Sequence, residues 1–171
     1  MPAEAQEVLF EEEQSFRQRW LWALMGATLV LLLVPLVFVL SGAPVKAGSD
    51  PFSGVIGLAV GILVVVGVAV LMYLMKLSVR VDTEGLHVRF FPFVKKDISL
   101  EEIAHWEART YRPLLEYGGW GIRCGWNGMA YNVSGNQGVQ LEFTNGKRLL
   151  IGSQRPEELA AAISQAKQHG G

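Results

Sequence analysis

The chain has 171 residues, half of them hydrophobic and 18% charged, with a mean hydropathy of +0.27 and a net charge of −1. This composition excludes general disorder, which needs low hydrophobicity and high net charge, and it gives no case for nucleic-acid binding. The single cysteine, Cys124, excludes an internal disulfide framework and a multi-cysteine metal site.

Residues 1–19 form an acidic segment with five Glu against two Arg. The spacing of Glu13 and Arg17 predicts that 11–20 extends the first apolar helix, with Phe10 and Phe16 packed on a soluble domain. Two uncharged blocks follow, Trp20–Leu40 and Val55–Met75, each of 21 residues. As helices they are about 31 Å long, the thickness of a hydrocarbon core, so both are expected to span a bilayer. The linker 41–54 is rich in Gly, Pro and Ser and short enough that the spans run antiparallel. Arg17, Arg19, Lys76 and Arg80 flank the outer ends of this hairpin, whereas Lys46 is the linker's sole basic residue. That bias predicts a plasma-membrane protein with both termini in the cytoplasm, and it makes Trp20 and Trp22 interfacial anchors. The rival, a signal peptide cleaved near Ser41-Gly42-Ala43, suffers from an overlong apolar stretch and an acidic leading segment. Gly57 and Gly61 form a small-xxx-small pair suited to close helix packing, against a second copy or another membrane protein. Gly and Ala are also simply common in spanning helices. Pro35 is a candidate kink. Neither span carries an Asp, Glu, Lys, Arg or His, which argues against transport by this chain alone.

From Lys76 onwards the hydrophobic period changes to two. Leu77, Val79 and Val81 alternate with Ser78, Arg80 and Asp82; Leu86, Val88 and Phe90 alternate with His87 and Arg89. Further strands are expected over 98–110, 120–126, 129–134, 138–144 and 147–152. Asn127-Gly128 and Asn145-Gly146 are predicted to form two-residue type I′ turns. Pro156, Glu157, Glu158 and the stripe Leu159, Ala162, Ile163 and Ala166 predict a closing amphipathic helix, capped by either Ser153 or Arg155. The expectation is therefore an α+β membrane protein. A two-helix transmembrane hairpin precedes a cytoplasmic domain over 76–171, a seven-stranded antiparallel barrel or sandwich with a C-terminal helix.

This order of elements resembles the bacterial pleckstrin-homology-like membrane proteins. The resemblance rests on 77–91, Ile98-Ser99-Leu100-Glu101-Glu102-Ile103, Tyr111-Arg112-Pro113 with Tyr117-Gly118-Gly119-Trp120-Gly121-Ile122-Arg123, and 145–159. The last two stretches are similar to those of a small uncharacterised two-span group. The resemblance implies a binding or scaffolding module at the membrane's inner face rather than a reaction, and the superfamily has no single ligand.

The residues themselves offer little catalytic chemistry. His87, His105 and His169 lack metal-ligand spacing, and Cys124 has no evident activating base. Glu101-Glu102 reads as a solvated turn, Asn132-Val133-Ser134 as a strand on the cytoplasmic side, and the glycines at 119, 121 and 125 do not make a phosphate loop. No enzyme, cofactor or metal is expected. The segment 109–136 is different, because it interleaves Arg109, Tyr111, Arg112, Tyr117, Trp120, Arg123, Trp126 and Tyr131 with glycines. Arginine and aromatic residues are enriched at recognition surfaces; equally, Trp120 and Trp126 fit as core fillers of a small barrel. On the first reading Arg112, Tyr117, Trp120 and Arg123 border one exposed binding patch on an irregular loop. The partner is then a membrane protein or a second copy, in addition to the bilayer. A phospholipid headgroup is the alternative ligand, although the domain's balance of twelve Lys/Arg against ten Asp/Glu is weak for it.

Overall fold

The computed structural model describes residues 7–16, 18–41 and 51–169. The element order is β1 (Val8–Ser15), α1 (Arg19–Leu40), α2 (Pro51–Leu74), β2 (Lys76–Asp82), β3 (Leu86–Phe91), β4 (Val94–Ile98), β5 (Ile103–Thr110), α3 (Pro113–Tyr117), β6 (Gly121–Gly125), β7 (Gly128–Asn132), β8 (Gln137–Phe143), β9 (Arg148–Gly152) and α4 (Pro156–His169). A single 3-10 turn, Leu100–Glu102, capped by the Ser99 hydroxyl, separates β4 from β5. Two units result: 17–74, which holds the helix pair, and a domain made of 1–16 with 75–171.

In the first unit, α1 and α2 are long and apolar enough to cross a membrane. The second starts at Pro51, earlier than Val55, so the helix absorbs the end of the expected linker. Residues 42–50 of that linker, including Lys46, lie outside the described residues, as does Arg17. Pro35 sits within α1. A methyl group added at Gly61 would touch Leu32 of α1, whereas one added at Gly57 would meet open space. The two glycines therefore do not act as one packing pair within the hairpin.

The domain is built on two sheets. β1-β2-β3-β4 is an antiparallel meander, and β5-β8-β9-β7-β6 is a five-stranded sheet in which β7 and β9 run parallel. The expected seven-stranded antiparallel barrel or sandwich is thus corrected in strand count and closure: the domain has two sheets rather than a closed barrel, with nine strands among the described residues and one parallel pairing. Two strands account for the difference. β4 is a short, Lys-rich edge whose alternation spans only five residues. β1 replaces the expected helical extension over 11–20.

From Phe10 onwards β1 shows the strand period, with alternate positions buried: Phe10, Glu12, Gln14 and, just beyond it, Phe16. Glu13 pairs with Lys76 at 2.7 Å on the neighbouring strand; the expected Glu13–Arg17 pairing involves a residue outside the described ones. The expectation that Phe10 and Phe16 pack on the domain holds, although in strand geometry. Glu12 is held by the far end of the chain, where the Ser153 hydroxyl donates to it at 2.5 Å and the Gln154 amide at 2.9 Å. The Gln14 side chain donates to the Gly152 carbonyl at 2.9 Å. The Arg155 guanidinium donates to the Glu11 carbonyl and lies 4.8 Å from the centre of the Phe10 ring.

Leu77, Val79, Val81, Leu86, Val88 and Phe90 are fully buried, as the period-2 reading requires. α4 buries Leu159, Ala162, Ile163 and Ala166 and packs against β1, β2, β5 and β8, so it touches both sheets. Arg155 occupies its cap position, and the Ser153 hydroxyl accepts the Arg155 amide at 3.0 Å. Trp106 on β5 donates to the Ala160 carbonyl and the Ser164 hydroxyl, each at 3.1 Å.

His87 is tied into this framework by two carboxylates. Its Nδ1 lies 2.6 Å from Asp97 and its Nε2 lies 3.3 Å from Asp82, whose side chain also accepts the Glu84 and Gly85 amides of the β2–β3 turn. The hydrogen bond to Asp97 raises the His87 pKa above 6.5, with partial burial opposing and Asp82 assisting. A raised folded-state value means that protonated His87 stabilises the domain at low pH. That contribution is complete below about pH 6.5 and is lost as the pH rises through the folded value. Thermal melts of the wild-type chain are expected to show this decline, and His87→Asn should flatten it. A parallel decline in both proteins would assign the pH dependence to other groups.

Candidate functional site

The expected loop at 111–120 contains α3, which sets where each candidate side chain goes. Pro113 occupies the first helical position, and Gly118, with φ 70°, ends the helix in the left-handed region. The Glu116 carboxylate turns back to accept the Arg112 amide at 2.7 Å and also pairs with Arg109. Burial works against that carboxylate, yet these two donors hold its pKa below the usual range. The helix so fixed lays Tyr117 on the sheet, where only 4% of it is exposed. There it joins Tyr111, Ala130 and Leu150 in a small core. The two tyrosine rings meet edge to face, 6.0 Å apart. Burial pushes the Tyr111 phenol up to about 12, and its oxygen accepts the Asn132 side-chain amide at 2.9 Å. Asn132 in turn accepts the Gly121 amide at 2.9 Å, so its side chain is a buried bridge between two segments.

Tyr117 is therefore almost wholly buried, although it also contributes to the lining of a groove beside α3. Trp120 is half-buried, and its indole donates to the Gly135 carbonyl at 2.9 Å. Arg123 is exposed, and its Nε donates to the Trp120 carbonyl at 3.0 Å. Arg112 is exposed at the residue preceding α3. Of the four expected residues, the structure thus joins Trp120 and Arg123 directly and turns Tyr117 inward.

Trp126 behaves in the opposite way. The expected type I′ turn at Asn127-Gly128 does not form, because the turn is centred one residue earlier, on Trp126 and Asn127, between the paired Gly125 and Gly128. Among the described residues only glycines have positive φ, and here Gly128 takes it, at 98°. The one-residue shift moves Trp126 from the strand to the turn tip, where it is 99% exposed. It is not a core filler. The β8–β9 connection shifts in the same way: Gly146 adopts φ 77° and its amide donates to the Phe143 carbonyl at 2.9 Å.

Trp126 stands between two grooves. One, of about 430 Å³, is lined by Trp126, Met129, Phe143 and Leu149 with Lys96 and Lys147 among its cations. The Lys96 ammonium lies 5.0 Å from the centre of the Phe143 ring. The second groove, of about 550 Å³, is bounded by the exposed Leu114 and Leu115 of α3. Exposed Cys124 borders both. The result is an apolar ridge around Trp126 whose rim carries Lys96, Lys147 and Arg148 together with Glu102. Of these residues the sequence points to Trp126 and Cys124, and to Lys96 and Lys147 as members of the local basic pairs Lys95-Lys96 and Lys147-Arg148, none of them for this groove. The usable signal was an aromatic residue immediately before an Asn-Gly turn.

No family profile matches the chain, and no curated protein matches it at a significant level.

Proposed function

We propose that the chain is a multi-pass plasma-membrane protein, resembling the pleckstrin-homology-like group, whose domain is a non-catalytic interaction module at the cytoplasmic face. Its partner is a membrane protein or a second copy of the chain. The observation that carries this reading is the full exposure of Trp126 on the rim of an apolar cleft, because a tryptophan so placed does little for folding and is a favoured anchor at interfaces.

Two features support the membrane arrangement. β1 precedes α1 and β2 follows α2, yet the two strands pair along their length, so both ends of the hairpin belong to one domain. A hairpin joined in this way crosses twice or not at all. Cleavage near Ser41 would also remove β1 and its bonds to Gly152, Ser153 and Gln154. The basic residues at the outer ends of the helices favour the cytoplasmic side.

Cys124, the only cysteine and an exposed one, reports the orientation directly. An impermeant maleimide is expected to leave it unlabelled in intact cells and to label it after lysis. In a Cys124→Ser background, Ser49→Cys should show the reverse. Labelling of Cys124 in intact cells would overturn the cytoplasmic placement. For the cleft, a photoreactive residue replacing Lys147 should crosslink to a discrete membrane protein or to a second copy. Trp126→Ser should abolish that adduct while shifting stability by no more than about 0.5 kcal/mol. Adducts to lipid alone would transfer the assignment to the phospholipid reading.

A further inference from the structure

The pairing register of the first sheet gathers Ser15, Lys76 and Phe91 at one end of β1, β2 and β3. This is the end at which the chain leaves for α1 and returns from α2. Met75 alone separates Leu74, the last residue of α2, from Lys76, so the covalent chain holds this end of β2 within about 7 Å of the end of the helix. The β3–β4 connection turns at the same end. It is Phe91-Pro92-Phe93, closed by the Phe93 amide donating to the Phe90 carbonyl at 2.8 Å. Its two rings are 58% and 56% exposed, although the strand that carries Phe91 buries every other apolar residue it has. Two phenylalanines and a proline are an unusual tip for a hairpin in water, where polar turn residues are the norm. The neighbouring charges are mixed: Lys76 pairs with Glu13, Lys95 lies 3.9 Å from Asp97, and Arg89 is Lys95's register partner.

We propose that the Phe91-Pro92-Phe93 turn is an interfacial anchor whose rings insert among the lipids beside the point where α2 leaves the bilayer. The argument rests on the two-span reading above and extends it from helices to a third membrane contact, made by the domain itself. Aromatic rings settle at the boundary between headgroups and acyl chains. A covalent tether a few ångströms long keeps the turn at high effective concentration against that surface. Lys76, Arg89 and Lys95 then lie at headgroup level, where their charges stay hydrated. The occupant is lipid rather than protein because the turn is continuous in register with the strand that α2 feeds.

The test uses the full wild-type chain in nanodiscs of phosphatidylcholine and phosphatidylglycerol in equal parts, with a diazirine on the acyl chains. After irradiation, mass spectrometry should find label on peptides containing Phe91 and Phe93 and on those of α2, and none on peptides containing Thr144. A second measurement places a nitroxide on Phe93→Cys in the Cys124→Ser background. Its accessibility to oxygen should exceed its accessibility to a water-soluble nickel complex, the reverse of a label at Thr144→Cys. Labelled α2 with an unlabelled, water-accessible Phe93 would overturn the anchor and leave the two-span reading standing. If α2 also escapes labelling, the membrane reading itself fails. Spin–spin broadening at Phe93 that disappears on dilution with unlabelled chain would assign the turn to a second copy instead.

Discussion

A chain consisting of 75–171 alone is expected not to fold, and joining 7–16 to it through a short Gly/Ser linker should restore a cooperative domain. Without β1 the outer edge of β2 is unpaired, Phe10 and Phe16 leave the core, and the Ser153 hydroxyl and Gln154 amide lose the Glu12 carboxylate. Two buried phenylalanines are worth about 3–5 kcal/mol each when truncated, and each hydrogen bond to a charged group adds about 1.5–3 kcal/mol. A domain of this size has about 5–15 kcal/mol in all, so the sum is enough to unfold it. Circular dichroism and a thermal melt of the two fragments decide the matter. A folded 75–171 would show that β1 is an accessory strand. Failure of the fused fragment as well would mean that the helix pair supplies something the strands do not.

The second large effect is expected at Gly128. Its φ of 98° is one that side chains rarely adopt, and a β-carbon there would come within 2.3 Å of the Arg148 carbonyl oxygen. Neither strain relaxes by rotating a side chain, because the obstructing atom is backbone of β9. Gly128→Ala should cost roughly 2–5 kcal/mol, combining the left-handed penalty with overpacking. Gly118→Ala provides the contrast. Its φ of 70° is similarly left-handed but its surroundings are open, so a loss of only about 1–2 kcal/mol is expected. Denaturant titration of the two variants separates the contributions, and equal losses would mean that contact with Arg148 is immaterial. Gly128 also governs the presentation of Trp126, so Gly128→Ala should weaken crosslinking at the cleft even where the domain remains folded.

How much of this was legible in the sequence depends on whether the buried positions were apolar. The core of β2 and β3 was readable because Leu77, Val79, Val81, Leu86, Val88 and Phe90 alternate with polar residues. β1 was not, because two of its inward positions are Glu12 and Gln14, and the run Glu11-Glu12-Glu13 resembles the solvated side of a helix. Burying a carboxylate there depends on Ser153 and Gln154, about 140 positions away, and no local pattern carries that information. At the candidate site, the composition of 109–136 drew attention to a segment whose members the fold then sends in different directions. Tyr117 is drawn inward by a five-residue helix too short to leave a periodic signature. Trp126 is pushed outward by a turn that slips one residue because Gly128, and not Asn127, takes the positive φ.

The pairing of β1 with β2 also has a consequence for biosynthesis. β1 emerges from the ribosome before α1, but its partner strand follows only after both apolar helices have been made. At about 5–20 residues per second the intervening 60 residues take roughly 3–12 s to translate. If the helices insert as the two-span proposal has it, β1 is during that interval an unpaired strand beside a membrane, the kind of edge that invites association with other chains. The three successive glutamates suit this wait, since mutual repulsion discourages one nascent copy from pairing with another. Completion of the domain then becomes a check on helix insertion. A chain whose hairpin fails to return to the starting side leaves β1 and β2 on opposite faces of the membrane, with no sheet to form and an exposed, protease-sensitive domain.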